Sequence, residues 1–228
     1  MELFSELQQY NQGGYTFYLS QTTFRSIIKV GKRFTTRLDV PYVYNSVSSP
    51  ANDNKGGLGD ISFRLLGFKF KESPRSAFTA SMEISLNTAE TRFQGSGKYI
   101  LLPVVSYTRW FHGNRQLLAT IFQEAITVGG DETRQDVNFS KLQVIFLKFW
   151  SRKVWTAIAP ETYFDHEKGG VSMNLEGRIV IAPRRRINIW VQGGAGLFGD
   201  FVARYQWGTE VGTRYFLFRE PKKANRKS

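Results

Sequence analysis

The sequence predicts an all-β fold, a transmembrane up-and-down antiparallel β-barrel of about twelve strands, with ten as the alternative count. Apolar and polar residues alternate with a period of two almost everywhere after residue 12. Turn residues interrupt this alternation at regular intervals, and the connections are alternately short and long. Short turns at one end and longer loops at the other are typical of outer-membrane barrels. A soluble sandwich has no reason to alternate so regularly.

Twelve strand-like runs are predicted, each bounded by turn-forming residues. In chain order they span residues 15–23, 24–31, 34–46, 58–71, 76–88, 98–111, 115–128, 137–149, 153–164, 171–183, 186–197 and 205–218. The first two runs could instead form one long strand, and residues 1–13 have no assigned structure. The three runs between residues 98 and 149 alternate less cleanly, which indicates β-bulges. Residues 1–218 are therefore expected to form a single barrel domain, followed by a basic tail at 219–228.

The two faces of the predicted strands differ in composition. In the run at 76–88, Phe78 and Met82 share one face, whereas Thr79 and Glu83 share the other. The charged residues on the polar faces are Arg37, Asp39, Asp60, Arg64, Glu83, Lys141, Glu161, Glu176, Arg178, Glu210 and Arg214. A barrel with a polar interior gives each of these charges either water or an opposite charge. We therefore expect them to line a lumen, as a track for solutes or as a static salt-bridge network.

The chain has 31 Lys and Arg residues against 19 Asp and Glu residues, a formal net charge of +12. Such a charge often marks a nucleic-acid-binding protein. Here, however, the basic residues are concentrated in the short turns and the tail, whereas the long loops are mainly acidic. Basic turns suit an anionic phospholipid leaflet, with both ends of the chain on the periplasmic side. Membrane lipid, and not nucleic acid, is therefore the expected partner.

Aromatic residues make up 15% of the chain and cluster near the ends of the predicted strands. Such rings are typical of the interfacial girdles of membrane barrels, where amphipathic side chains lie at the headgroup level. The predicted girdle consists of Tyr42, Tyr44, Trp110, Phe111, Trp150, Trp207, Tyr215 and Phe218.

Three segments carry a resemblance to a known family: RFTTRLDVPYVY at 33–44, GLGDISFRLLGFKF at 57–70 and SMEISLNTAETRFQGSGKYILLPVVSYTRWF at 81–111. They resemble the transporter family named after the MetA pathway of phenol degradation. In that family a strand ending in Pro-Tyr precedes a loop, a Gly-x-Gly-Asp strand start and a Gly-Ser-Gly-Lys loop exit. The family's Pro-Thr-Gly strand end is replaced here by SLNTAE. The resemblance implies a monomeric outer-membrane β-barrel with a role in the uptake of small organic compounds.

The sequence contains no motif that predicts catalysis, a metal or a cofactor. The absence of Cys excludes a thiolate metal site, and two His residues are too few for a zinc set. GGLGD at 56–60 precedes a strand and not a helix, so it is not a dinucleotide fingerprint. His112 and His166 lack the His-x-Ser spacing of outer-membrane phospholipase A and are predicted to be turn or loop residues. The acidic loop at 131–136 could hold a divalent cation that bridges lipopolysaccharide, or could simply be solvated.

The predicted function is that of a passive channel for small polar or aromatic organic solutes in a Gram-negative outer membrane, with diffusion past a charge-lined constriction. The alternatives are a non-conducting structural or surface-interaction barrel, an outer-membrane hydrolase and a soluble β protein. The expected partners are outer-membrane lipids, lipopolysaccharide and an unidentified small solute, and the chain is expected to be a monomer. Residues 1–10, MELFSELQQY, lack the basic and apolar regions of a signal peptide, so the membrane interpretation requires a mature chain.

Overall fold

The computed structural model describes residues 1–12, 15–31, 34–47, 55–91, 94–199 and 205–217. Within these ranges the chain forms thirteen strands: β1 (Glu2–Gln12), β2 (Tyr15–Val30), β3 (Phe34–Val47), β4 (Lys55–Leu58), β5 (Ser62–Glu72), β6 (Ser76–Ser85), β7 (Lys98–Phe111), β8 (Gln116–Gly130), β9 (Phe139–Phe149), β10 (Val154–Asp165), β11 (Val171–Arg184), β12 (Ile187–Phe198) and β13 (Trp207–Tyr215). None of the described residues belongs to a helix that is long and apolar enough to cross a membrane.

The thirteen strands form one closed antiparallel barrel. Apart from β4, each strand pairs with the next along the chain, and β1 closes the ring by pairing with both β2 and β13. The short β4 and the longer β5 pair with successive parts of β3, so they occupy a single position in the wall. The wall therefore has the twelve positions that the sequence predicts. The predicted fold class is confirmed.

The first two strands differ from the prediction. Residues 15–23 and 24–31 form the single strand β2, and residues 1–13, which had no assigned structure, provide β1. Polar side chains such as Ser5 and Glu6 lie on both faces of β1, so its hydrophobic periodicity is weak. Hydrogen bonding to neighbours on both sides, and not its own pattern, fixes this segment as a strand.

The β-bulges lie only partly where the sequence indicates them. A register shift follows Tyr99 in the β7–β8 pair, within the region that alternates less cleanly. Another lies in β5, where the pairing with β6 shifts between Arg64 and Leu66. Strict alternation would place Phe63 and Phe68, which are five positions apart, on opposite faces of the strand. One extra residue is inserted between them, so both lie on the outward face.

The outward face of the barrel carries an apolar band. Val191 of β12 pairs with Ile179 of β11 and Val211 of β13, and the exposed fractions of these three residues are 55%, 56% and 52%. Their neighbours Gln192 and Glu210 instead line the interior. A water-soluble monomer rarely exposes such a continuous apolar band, whereas a barrel wall in contact with lipid requires it.

The two ends of the barrel differ in their connections. Short turns at 73–75, 112–115, 150–153 and 185–186 define the turn end, and longer connections that include 86–97, 131–138 and 166–170 define the loop end. In the β7–β8 turn, His112, Gly113 and Asn114 have φ values of 50°, 64° and 65°. Gly and Asn tolerate this left-handed conformation better than most residues, which explains why the turn reads HGN.

Candidate functional site: the barrel lumen

The interior of the barrel contains two cavities in series. The loop-side chamber, about 660 Å³, extends from Asp60 and Gln94 near the loops to Glu176. The turn-side chamber, about 260 Å³, extends from the same level to Trp155 and Asn188 near the turns. The side chains that line both chambers are Gln143, Glu176, Arg178 and Gln192. A solute that crosses the barrel must pass this shared layer.

A hydrogen-bonded network of Glu176, Arg178, Gln192 and Glu210, here called the septum, lies where the two chambers meet. Arg178 donates from Nε to Gln192 Oε1 at 2.6 Å and from Nη2 to Glu210 Oε1 at 3.0 Å. Gln192 Nε2 in turn donates to Glu176 Oε2 at 2.8 Å. The four residues lie on β11, β12 and β13, where strand alternation directs them inward. They therefore form one connected network on this side of the wall.

A second network of charges lies on the wall formed by β2, β3, β5 and β6. Arg25 makes a bidentate pair with Asp39, with both N–O distances at 2.8 Å. Arg37 Nη2 donates to Glu83 Oε2 at 2.5 Å, and Arg64 Nη2 donates to the same oxygen at 3.2 Å. Because each carboxylate faces more than one guanidinium, every charge here has an opposite partner.

Of the predicted lumen residues, Asp60 and Glu176 alone have no ion pair with another described residue. The others pair as described above or as follows: Lys141 Nζ lies 3.6 Å from Glu161 Oε1, and Arg214 Nε donates to Glu2 Oε1 at 2.6 Å. Glu176 accepts hydrogen bonds from the neutral groups of Gln192 and Tyr205.

The sequence analysis missed three inward-facing charges, Glu2, Glu6 and Arg25. Glu2 Oε2 lies 3.8 Å from Arg25 Nη1, and all three residues contribute to the interior. They were missed because residues 1–13 had no assigned strand and residues 15–31 were divided in two. The spacing of Glu2 and Glu6, which lie four residues apart, was the available signal, since such residues share a strand face.

Asp60 binds the β6–β7 connection and also lines the loop-side chamber. Its carboxylate accepts hydrogen bonds from the backbone N–H groups of Thr88, Ala89 and Ser96 at 3.2, 3.1 and 2.6 Å, and from Ser96 Oγ at 2.9 Å. A Cβ on Gly95 would lie 2.5 Å from this carboxylate. Glycine at position 95 therefore allows the loop to approach Asp60 closely.

The motifs that carry the family resemblance meet at this point of the rim. Gly59 N donates to Pro41 O at 2.9 Å, which joins the Gly-x-Gly-Asp start to the Pro-Tyr strand. The bonds from Ser96 to Asp60 join the same start to the Gly-Ser-Gly-Lys exit. Segments far apart in sequence thus form one structural unit that fixes the loop end.

The predicted girdle is wrong for Trp110. Outward-facing Val105 and Tyr107 fix the alternation of β7, which places Trp110 on the inward face, where its ring stacks on Phe149 with centroids 5.9 Å apart. The girdle residues that are exposed on the outside are Tyr42, Tyr44, Trp150, Trp207 and Tyr215. Phe111 is partly exposed, and Phe218 lies outside the described residues.

The structure brings Ser140 and Glu124 to His166 on the outward face near the loop end. Ser140 Oγ donates to Glu124 Oε1 at 2.7 Å and lies 2.6 Å from His166 Nε2. With the single hydroxyl proton of Ser140 directed to Glu124, the tautomer of His166 that fits this arrangement donates from Nε2 to Ser140 Oγ. Ser140 is also only 7% exposed. The cluster therefore attaches the β10–β11 loop to the wall and is not arranged as a nucleophile with its base.

The acidic loop has its own basic partners. Asp136 Oδ1 lies 2.6 Å from Lys98 Nζ, and Asp131 Oδ2 lies 3.4 Å from Arg134 Nε. Hydrogen bonds from the Thr133 side chain and backbone lower the pKa of Asp131. Among the residues that the structure describes, no group of three or more His, Asp or Glu side chains could hold a metal ion. The arrangement therefore favours a solvated loop.

Solved structures similar to this chain are outer-membrane barrels. The COG4313 outer membrane channel from Pseudomonas putida F1 has a TM-score of 0.77 and 12% sequence identity, with 94% of each chain covered. The NanC porin has a TM-score of 0.63 and 10% sequence identity, with 94% of this chain and 100% of the porin covered. The KdgM porin has a TM-score of 0.63 and 7% identity, with 96% of this chain and 100% of the porin covered. The fold is that of the outer-membrane β-barrels. Neither a family model nor a curated protein matches the sequence, so the MetA-pathway resemblance stays a prediction.

Proposed function

We propose that the protein is a passive channel for small polar or aromatic organic solutes in a bacterial outer membrane. The observation that carries this proposal is the pair of chambers in series inside a closed barrel. The similarity of the fold to outer-membrane channels supports it. A polar lining replaces part of a solute's hydration as it moves, so diffusion needs neither catalysis nor a cofactor.

The septum is the proposed constriction. Its hydrogen bonds are made by side chains that have rotatable bonds, so a polar solute can exchange partners with Arg178 and Gln192 as it passes. Beyond the septum, the turn-side chamber offers the rings of Trp155 and Trp190, against which the apolar part of a solute can pack. Polar and aromatic surfaces therefore follow each other along the proposed path.

A non-conducting barrel is the second candidate, and a specific observation favours it. Phe4, Val180 and Trp190 are buried in the interior, with Trp155 packed against them. Gly212 makes room for this cluster, because a Cβ there would clash with the Trp190 ring and with Phe4. Together with a rigid septum, such a cluster would close the lumen.

The location and the partners are part of the proposal. Exposed Trp150 and Tyr215 lie near the turn end of the outward face, where rings suit the headgroup level. Exposed Arg184, Arg185 and Arg186 at the same end suit an anionic leaflet. We assign the loop end to the lipopolysaccharide side and treat the chain as a monomer that does not bind nucleic acid.

Single-channel recording in a planar bilayer tests the proposal. We expect discrete current steps from the wild-type protein. The R178A variant should increase the conductance roughly twofold, because it removes the side chain that bridges Gln192 and Glu210. The matched control is R184A, which removes the same charge from the exposed end of β11. A silent bilayer from correctly folded wild-type protein would refute the channel and support the closed barrel.

A further inference from the structure

The loop-side chamber has an excess of acidic groups, in contrast to the basic chain as a whole. Among the described residues, seven carboxylates line this chamber against three basic side chains. The net charge of the whole protein is +12. A narrow, low-dielectric lumen concentrates the field of its own lining, so the chamber and not the total charge determines which ions enter.

The excess is concentrated at Glu6 and Glu176, beside the septum. No basic side chain among the described residues lies within ion-pair distance of either carboxylate. Glu176 accepts hydrogen bonds from Gln192 Nε2 at 2.8 Å and from Tyr205 OH at 2.9 Å, and both donors are neutral groups. The neighbouring Glu210 already pairs with Arg178. Within the part of the chain that the structure describes, these two carboxylates at the floor of the chamber therefore have no ion-pair partner.

Crowding makes these carboxylates a favourable place for a mobile cation. Glu6, Glu176 and Glu210 line one small cavity of about 10 Å³, so the three carboxylates lie close together. Like charges this close raise each other's energy, and a cation that enters the chamber relieves the repulsion. The space at the carboxylates holds about one water molecule, so the body of a bound solute must lie in the large chamber.

We propose that the loop-side chamber binds small organic cations and that Glu6 and Glu176 make the channel selective for cations. This inference rests on the proposed channel function. The ammonium group of such a solute would lie at the floor of the chamber, beside the septum. After the solute has moved past the septum, an aromatic ring attached to the ammonium group would meet Trp155 and Trp190 in the turn-side chamber. The solute class that fits both chambers is therefore the small aryl-alkyl amine.

The test is the reversal potential of the wild-type channel and of the E6Q/E176Q variant in a potassium chloride gradient. We expect the wild type to prefer potassium over chloride by about threefold or more, and the double variant to approach a ratio of about one. The matched control is E124Q, which removes the same charge from the outward face. Should the double variant fail to fold, the single variants E6Q and E176Q are each expected to lose part of the preference.

Benzylammonium chloride, added on the loop side, is the probe for solute binding, with sodium benzoate as its anionic counterpart. We expect benzylammonium to block the wild-type channel at concentrations roughly tenfold lower than those that block E6Q/E176Q. Benzoate should act on the two channels at the same concentration. A conducting channel that prefers chloride, or one in which E6Q/E176Q behaves like E124Q, overturns the inference and leaves the channel function standing. A silent wild-type channel refutes the proposed function and this inference with it.

Discussion

At the scale of single residues, Asp60 has a structural role in addition to its place on the charged lumen face. Its carboxylate accepts four hydrogen bonds from the β6–β7 connection, and glycine at position 95 allows the approach. Hydrogen bonds to a charged acceptor are stronger than those between neutral groups. Asp60 therefore determines the order of a loop that lies beside the entrance of the larger chamber.

We expect D60A to leave the barrel folded but to loosen the connection at 86–97. The loss of hydrogen bonds to a charged group should cost on the order of 2–3 kcal/mol of local stability. Limited proteolysis measures this, because trypsin has a cleavage site in the loop after Arg92. The matched control is D131A in another loop, which should leave this cleavage unchanged. Equal resistance of D60A and wild type would show that the loop is fixed by other contacts.

At the scale of elements, β1 is the strand on which closure depends. Ser5 pairs with Val211 on one side and Thr22 on the other, and its hydroxyl lies 2.8 Å from that of Thr22. If β1 were lost, β2 and β13 would each have an open edge. The backbone N–H and C=O groups on those edges would then have no hydrogen-bond partner. Open edges are not tolerated in contact with lipid.

The S5P variant should therefore prevent the formation of the closed barrel. Proline removes a ladder N–H group and is not accommodated in a strand that is paired on both sides. Gel mobility before and after boiling reports closure, since a folded barrel and an unfolded chain migrate differently. S5A keeps the backbone intact and should behave like the wild type. Normal heat-modifiable migration of S5P would mean that β1 is dispensable.

At the scale of the whole molecule, two solvents determine the alternation of strands such as β11, β12 and β13. Val191 and Gln192 are adjacent in β12, yet one belongs to the outward apolar band and the other to the septum. The same periodicity recurs in β11 and β13 through Ile179 and Val211. The barrel therefore tolerates a charge at one position and not at the next.

We expect V191K to destabilise the barrel by about 2–4 kcal/mol, the cost of a basic side chain near the middle of a lipid-facing wall. Q192K should cost much less, because the new ammonium group would face the lumen near Glu176 and Glu210. Urea-induced unfolding in phospholipid vesicles measures both variants. Similar unfolding free energies for the two variants would contradict the assignment of the faces.

The same two solvents explain how far the sequence could predict the structure. Alternation predicted the fold class and the inward direction of residues such as Arg178 and Glu210, since lipid outside and water inside impose it locally. It could not predict β1, whose polar residues lie on both faces, nor the bulge after Arg64. The choice of ion-pair partners, such as Arg37 with Glu83, depends on cross-strand register, which turn lengths and bulges determine together.

The pairing of β1 with β13 also has a kinetic consequence. Arg214 and its partner Glu2 are 212 residues apart, so the ring closes only when the first strand meets the last. Contacts of such long sequence separation form late, because the entropy of the whole intervening chain must be lost first. Until then, two unpaired edges are available to any other strand. We therefore expect the pairing of β1 with β13 to be a late step of assembly, with aggregation through the two open edges as the competing reaction.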